Sequence, residues 1–266
     1  MEKTKPEVYE KIDNNLYNKA GDIWWQPDTV LNLLKTSINP CRVTYFDNLV
    51  QKLTINPQGK TALEVGCGGG ILAEEICKMG FSTTGMDPSE QSLNTAINHA
   101  KTSGLSIKYD KGLGEQLPYQ NNSFDCVFCC DVLEHVRDLN KVISEISRVL
   151  KPQGVFFYDT LNRTIISKIV AIKIWQEWKR WAFMPENLHV WEMFIKPDEI
   201  KSVLAANDFD WKEHRGTQPN LSIPKMLSAL RKRVKKEWTY ADLGKAFRLV
   251  ESNDMSILYM GYAIKK

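Results

Sequence analysis

Asp131, Glu134 and His135 fall within five residues in the run 129–136 (CCDVLEHV), directly after the apolar stretch FDCVFCC. A carboxylate buried beside such a run is costly unless it is paired or ligates a cation, so this triplet requires a compensating partner. A second candidate group lies upstream. The segment LEVGCGGG (63–70) reads as a strand end, a glycine turn and a helix start, and glycines at 66, 68, 69 and 70 let a ligand approach the backbone closely. The dinucleotide fingerprint G-x-G-x-x-G would place glycine at 71, where this chain has Ile71. Glu64 sits inside the predicted strand, where an acidic residue calls for a cationic ligand. Asp87, 21 residues after Gly66, is placed to accept ribose hydroxyls. Asp87 would serve a nicotinamide cofactor equally well. Together, Glu64, the missing third glycine and Asp87 favour S-adenosylmethionine, which carries a sulfonium and an ammonium but no phosphate.

These residues need a scaffold that brings strand ends together, and the pattern supplies one. TALEV (61–65), FSTTGM (81–86), LSIKYD (105–110), FDCVFCC (124–130) and VFFYDT (155–160) read as strands. Helical periodicity separates several of them, at 71–79 closed by Gly80, after an N-cap at Ser89, and over 139–150 before the turn KPQG. Steady alternation predicts crossovers and an α/β fold with a largely parallel sheet. At 266 residues and 43% apolar content, one elaborated domain suits the chain better than two. It divides into a helical cap (1–50), a cofactor-binding core (51–163), a lid insertion (164–188) and a basic helical insertion (217–250) before the last strand. A net charge of +3 is too mild to argue for nucleic acid.

No signal peptide is evident, so the six cysteines read as reduced thiols in a cytoplasmic protein. Cys126 and Cys129 form C-x-x-C, yet residues three apart in a strand face opposite ways, which argues against one shared ion. The lid, TIISKIVAIKIWQEWKRWAFM (164–184), and the segment 223–247 with LRKRVKKEW interleave bulky apolar and basic residues. Each reads as a helix packed on the domain, with contact to a membrane surface as a second role. His99 is expected to be solvated and His214 structural.

Four motifs, LEVGCGGG, GMDPSE, GEQLPYQNNSFDCVFCCDVLEHV and VLKPQGVFFYDT, resemble the successive motifs of class I S-adenosylmethionine-dependent methyltransferases, over roughly residues 60 to 160. That resemblance implies a seven-stranded Rossmann-like sheet. WWQPDTVLNLLKTSINPCRVTYF (24–46), TLNRT (160–164) and HVWEMFIKPDEI (189–200) are similar to segments of the ubiquinone-biosynthesis O-methyltransferases, which methylate catechol-type polyprenyl quinone precursors. The resemblance implies cofactor contacts at Arg42, Gly66, Asp87 and Cys130, with Gly114 and Glu115 flanking the adenine; Glu64 and Gly68 join them from the glycine turn. It also implies a divalent cation such as Mg²⁺ held by Asp131, Glu134 and His135, gripping both oxygens of a catechol.

Without a metal, His135 or His189 is the general base, with Glu134 beside them. The Glu-His pair also has a purely structural reading, as a loop pinned by hydrogen bonds. The resemblance fails after Arg215, where GTQPNLSIPKMLSALRKRVKKEWTYADLGKAF replaces a short segment, and Leu113 stands where many relatives of this fold place an adenine-binding Asp. The expected function is O-methylation of a hydrophobic phenolic acceptor. The alternatives are O- or N-methylation of a soluble natural product on the same scaffold, and a cofactor-binding assembly protein without turnover. A nicotinamide oxidoreductase stands last.

Overall fold

A computed structural model describes residues 6–14, 17, 21–179 and 182–266. Its centre is one sheet of strands β1 (Thr61–Val65), β2 (Ser82–Asp87), β3 (Lys108–Lys111), β4 (Phe124–Cys130), β5 (Leu150–Leu161), β6 (Phe209–Pro219), β7 (Leu249–Ser252) and β8 (Leu258–Lys265), in the order β3-β2-β1-β4-β5-β8-β6-β7. The pairs among β1 to β5 are parallel, and β8 inserts antiparallel between β5 and β6. The sheet is eight-stranded rather than seven-stranded because β7 adds an antiparallel edge to the far end of β6.

The middle strands are buried on both faces, which is why they read as nearly continuous apolar runs. The strict side-chain alternation of β4 sends Cys126 into one core layer, with Phe128 and Cys130, and Cys129 into the other, with Val127. The C-x-x-C pair therefore straddles the sheet. All six cysteines are unpaired, and all but Cys77 are buried.

Helices α1 (Asn39–Lys52), α2 (Ile71–Lys78), α3 (Glu90–Thr102), α4 (Leu139–Val149) and α5 (Pro197–Ala206) accompany the sheet. The Ser89 side chain caps α3, accepting from the Ser92 N–H, and Asp138 caps α4 in the same way.

The lid differs from its expected single helix. A short α-helical turn (Ile165–Ser167) runs into a π-helical segment (Lys168–Glu177), and regular winding ends there; Arg180 and Trp181 lie outside the described residues. The basic insertion is two helices, α6 (Ile223–Val234) and α7 (Tyr240–Ala246), separated at Lys236, whose φ of 59° is incompatible with continuing a right-handed helix.

These additions close over the carboxyl ends of the parallel strands. The Ala241 N–H donates to the Pro27 carbonyl at 2.8 Å, the Ser37 hydroxyl to the Phe247 carbonyl at 2.8 Å, and the Tyr240 hydroxyl to the Phe183 carbonyl at 2.8 Å. No described helix is long and apolar enough to cross a membrane.

One buried ion-pair cluster ties α1 to the sheet. The Arg42 guanidinium donates from Nε to Asp159 on β5, from a terminal nitrogen to Asp131 just beyond β4, and from the other to Asn39 Oδ1 at 2.9 Å. Arg42 and Asp159 are withdrawn from solvent, at 2% and 0% exposed. Replacing Arg42 by Met leaves two carboxylates without their cation, so urea unfolding should show a drop of about 3–5 kcal/mol. A drop below about 1 kcal/mol would mean that the cluster carries no such role.

Candidate active site

The glycine turn leaves β1 with Gly66 at φ 75° and Gly68 at φ 49°, backbone that side chains strain to adopt. The N–H groups of Gly66 and Cys67 both donate to the Met86 carbonyl, at 2.7 and 3.0 Å, fixing the turn against β2. A β-carbon on Gly66 would strike Val132, and one on Gly68 or Gly69 would strike the Trp24 ring. Trp24 therefore packs directly on the loop. Its indole N–H donates to Ser92 Oγ at 3.0 Å, and Tyr17 stacks on it with ring centroids 5.9 Å apart. Trp25 donates to the Gly69 carbonyl at 2.8 Å and stacks on His99.

His99 is consequently half-buried and partnered rather than free in solvent: besides that stack, its Nδ1 lies 2.5 Å from the buried Glu74 carboxylate. His214 is structural. Its Nε2 meets the Tyr158 hydroxyl at 2.8 Å and accepts from the Trp211 indole at 3.1 Å.

Beside the turn, Glu64 is 4% exposed, and its Oε2 has no hydrogen-bond partner among the described residues. Burial pushes its pKa up to about 8, only partly opposed by Arg42. Asp87 is held differently. It accepts from the Gly68 N–H and the Ser89 N–H, each at 2.8 Å, and burial still raises its pKa. An orphaned buried carboxylate beside an open glycine turn, with a second carboxylate oriented at the tip of β2, fits a cationic nucleoside cofactor such as S-adenosylmethionine.

One cavity of about 900 Å³ gathers almost all the expected site residues. Its wall includes Arg42, Glu64, Gly66, Gly68, Asp87, Gly114, Glu115, Cys130, Asp131, His135 and His189. Of these, Arg42 turns its guanidinium to Asp131, Asp159 and Asn39. Glu115 accepts from the Arg137 N–H at 3.1 Å, and Leu113 is half-exposed on the cavity wall. The rest of the lining is mostly apolar. It comes from the lid (Val170, Ile174, Trp175, Trp178) and from α6 (Met226, Leu227, Leu230).

The acidic triplet does not assemble as expected. Asp131 adopts φ 55°, donates its N–H to Asp159 Oδ1 at 2.9 Å and pairs its carboxylate with Arg42, and it is not among the groups whose donor atoms converge. Glu134 and His135 are joined instead by His189, with donor atoms of all three within 4.8 Å of one another. Glu134 Oε2 accepts from the Thr160 hydroxyl at 2.7 Å, whereas its Oε1, both His135 ring nitrogens and His189 Nδ1 lack partners among the described residues. Burial raises the Glu134 pKa and lowers that of His135 to about 4, favouring the uncharged form of each.

Tyr17, Trp24 and Asp159 are site residues that sequence reasoning missed. The Trp pair is the sequence signal for Trp24; nothing local marks Asp159, whose partner Arg42 is 117 residues away.

Residues 63–158 match the family model described as a methyltransferase domain. The ubiquinone biosynthesis O-methyltransferase of Agrobacterium fabrum is 30% identical over 217 residues, spanning 79% of this chain and 86% of that protein. The one from Caulobacter vibrioides is 36% identical over 192 residues, spanning 69% and 75%. Among solved structures, the magnesium protoporphyrin IX methyltransferase of Synechocystis PCC 6803 with bound SAH superposes with a TM-score of 0.56 at 16% identity, over 84% of this chain and 82% of that one. That last likeness speaks to the fold.

A folded-state pKa of about 8 against 4.5 means that Glu64 is protonated at pH 7 in the ligand-free protein. The folded state then holds an extra proton, so ligand-free stability should fall as pH rises from 4.5 to 8. A cationic ligand favours the ionised form. Affinity for S-adenosylmethionine should therefore climb with pH by up to about tenfold per unit below pH 8 and then level off. Titration calorimetry in buffers of different ionisation enthalpy should show release of about one proton at pH 7, abolished in Glu64→Gln. A flat pH profile would remove Glu64 from the cofactor's cationic end.

Proposed function

This chain belongs to the ubiquinone biosynthesis O-methyltransferases and is an S-adenosylmethionine-dependent methyltransferase, and from that premise we propose that its acceptor is a phenolic or catecholic hydroxyl on a hydrophobic, polyprenyl quinone-type molecule. One observation carries the reading: a single cavity joins the polar pocket around Glu64 and Asp87 to a large apolar chamber built by the lid and α6. A polar ring with a long apolar tail matches that division.

The cofactor, when bound, supplies the electrophilic methyl carbon. Glu64 complements its positive charge, Asp87 orients its ribose, and Trp24 covers the glycine turn. His135 and His189 line the cavity beside this pocket, and their uncharged rings can take the acceptor's proton. The oxygen lone pair forms the new C–O bond as the S–C bonding pair departs to sulfur, and the hydroxyl proton passes to imidazole. A base whose pKa is near 4 accepts that proton only in concert with methyl transfer, when the oxygen is losing its own basicity. The apolar lining of the chamber also disfavours water beside the methyl group. The expected Mg²⁺ triplet does not fit, because Asp131 is paired with Arg42 and does not converge with Glu134 and His135.

The rim supports entry from a lipid surface. Trp178, Ile223 and Leu227 line the cavity while remaining 57%, 70% and 43% exposed, and Lys225, Arg231 and Lys232 on α6 stand exposed. Apolar side chains amid cations suit an anionic interface.

Leu230→Ser removes apolar surface that the tail would bury, so it should raise the KM for a polyprenyl catechol roughly tenfold or more and leave that for a tail-less catechol nearly unchanged. Equal effects on both, or turnover of soluble acceptors only, would sink the tail assignment. In flotation assays the protein should rise with phosphatidylglycerol vesicles and not with phosphatidylcholine vesicles, and the double variant Lys225→Glu/Lys232→Glu should stay behind. Flotation of that variant with anionic vesicles would remove α6 from the contact.

A further inference from the structure

We infer that His99 is a positioning residue for the cofactor: from outside the large cavity it holds the Trp25 indole on the Gly69 carbonyl and so sets the glycine turn before the cofactor arrives. His99, Trp25 and Glu74 are not on the wall of that cavity; they line a separate one of about 440 Å³, which shares Asn39 and Ile71 with it. The two tryptophans of the pair are held by different means. Trp24 is 6% exposed and fixed by burial, whereas Trp25 is only half-buried, so directed contacts must hold its ring. Its backbone carbonyl accepts from Asn32 at 3.2 Å, and its indole lies flat on His99, with ring centroids 3.3 Å apart and planes 4° from parallel. The Lys35 ammonium stands 4.9 Å from the same ring. His99 in turn is anchored by Glu74, a buried carboxylate 2.5 Å from its Nδ1. Glu74 lies one turn into α2, the helix that the glycine turn opens, and its N–H donates to the Gly70 carbonyl at 3.1 Å. Gly69, Glu74, His99 and Trp25 therefore close a ring of contacts that begins and ends in the same turn.

The ring acts on one peptide. The Gly69 carbonyl and the Gly70 N–H belong to a single rigid plane. Trp25 donates to the oxygen at 2.8 Å, and the N–H donates to the Cys67 carbonyl at 2.8 Å, so both ends of that plane are held. The residue before it is Gly68, whose N–H orients Asp87 at 2.8 Å. Glycine backbone has the widest choice of conformations, and a turn carrying it at 66, 68, 69 and 70 loses much freedom on ordering. Without Trp25 on Gly69 that ordering falls to the cofactor, and affinity drops accordingly. A histidine suits the task because its flat ring stacks on indole while a ring nitrogen reaches Glu74; an aliphatic side chain offers neither. His99 acts only through the indole, and the inference concerns the cofactor alone, so it stands apart from the identity of the acceptor.

The test follows S-adenosylhomocysteine binding by calorimetry, together with amide hydrogen exchange across residues 63–72 of the ligand-free full chain. His99→Ala should weaken binding about tenfold and speed exchange in the turn, with protection regained at saturating ligand. His99→Phe keeps a flat ring on Trp25 and loses the Glu74 contact, so it should recover most of the affinity even though its urea midpoint falls. Trp25→Phe keeps a ring and removes the indole N–H. It should match His99→Ala, and the double variant should lose little more than either single one, because both act through the same bond. If His99→Ala does not fold, Trp25→Phe and His99→Phe carry the test through the same two readouts, and Trp25→Phe binding as tightly as the unaltered protein then overturns it. The inference is equally overturned if His99→Ala lowers the urea midpoint yet binds S-adenosylhomocysteine normally, if His99→Phe is as weak as His99→Ala, or if the two losses multiply in the double variant.

Discussion

A buried guanidinium between two carboxylates sets the geometry on which the site depends. Arg42 comes from the helix of the N-terminal cap, Asp159 from the end of β5 and Asp131 from the first residue after β4. Each charge alone would be costly inside the protein; together they lock three separate elements. The left-handed backbone at Asp131 follows from the same cluster, because its N–H reaches Asp159 while its carboxylate reaches Arg42. That twist aims the next turn. Leu133 goes into the core, Glu134 toward Thr160 and His135 toward the cavity. The cap is thereby part of the active site's foundation as well as its cover.

Glu64 and Glu134 show one physical situation at two places. Both are buried carboxyl groups with one oxygen left without a partner among the described residues, and in both burial raises the pKa. Asp125 is the contrast within the same sheet. It receives Lys60, Lys151 and the Thr61 N–H, and its pKa falls despite the cost of desolvation. A folded chain that satisfies one carboxylate so fully has the means to satisfy the others. Leaving them incomplete beside a cavity creates places where a positive charge is worth more than in water.

Much of the scaffold was legible because its signals are local. β1 is five residues with a glycine turn attached, Ser89 announces α3 by its own side chain, and β4 shows its double burial in its composition. What stayed hidden depends on partners far away in the chain. The triplet 131–135 looks like one unit in sequence, yet the fold divides it, giving Asp131 to Arg42 and supplying His189 instead. His99 looked solvated because Trp25 and Glu74 reach it from other elements. The lid's apolar periodicity did not distinguish α from π winding, and β7 is too short to outweigh the helical stretch before it.

The straddling cysteines of β4 bear on how the protein meets oxidants. Cys126 is pushed up to about 12 by burial, and Cys129 and Cys130 are raised for the same reason, so thiolate, the form that reacts, is scarce at neutral pH. Packing of Cys126 and Cys129 into the two core layers of the sheet also denies entry to peroxide or an alkylating reagent. Cys77, on the outer side of α2, is the exception to this shielding. Electrophiles meet the folded chain there first, which turns a six-thiol protein into one with a single convenient attachment point for a spectroscopic label.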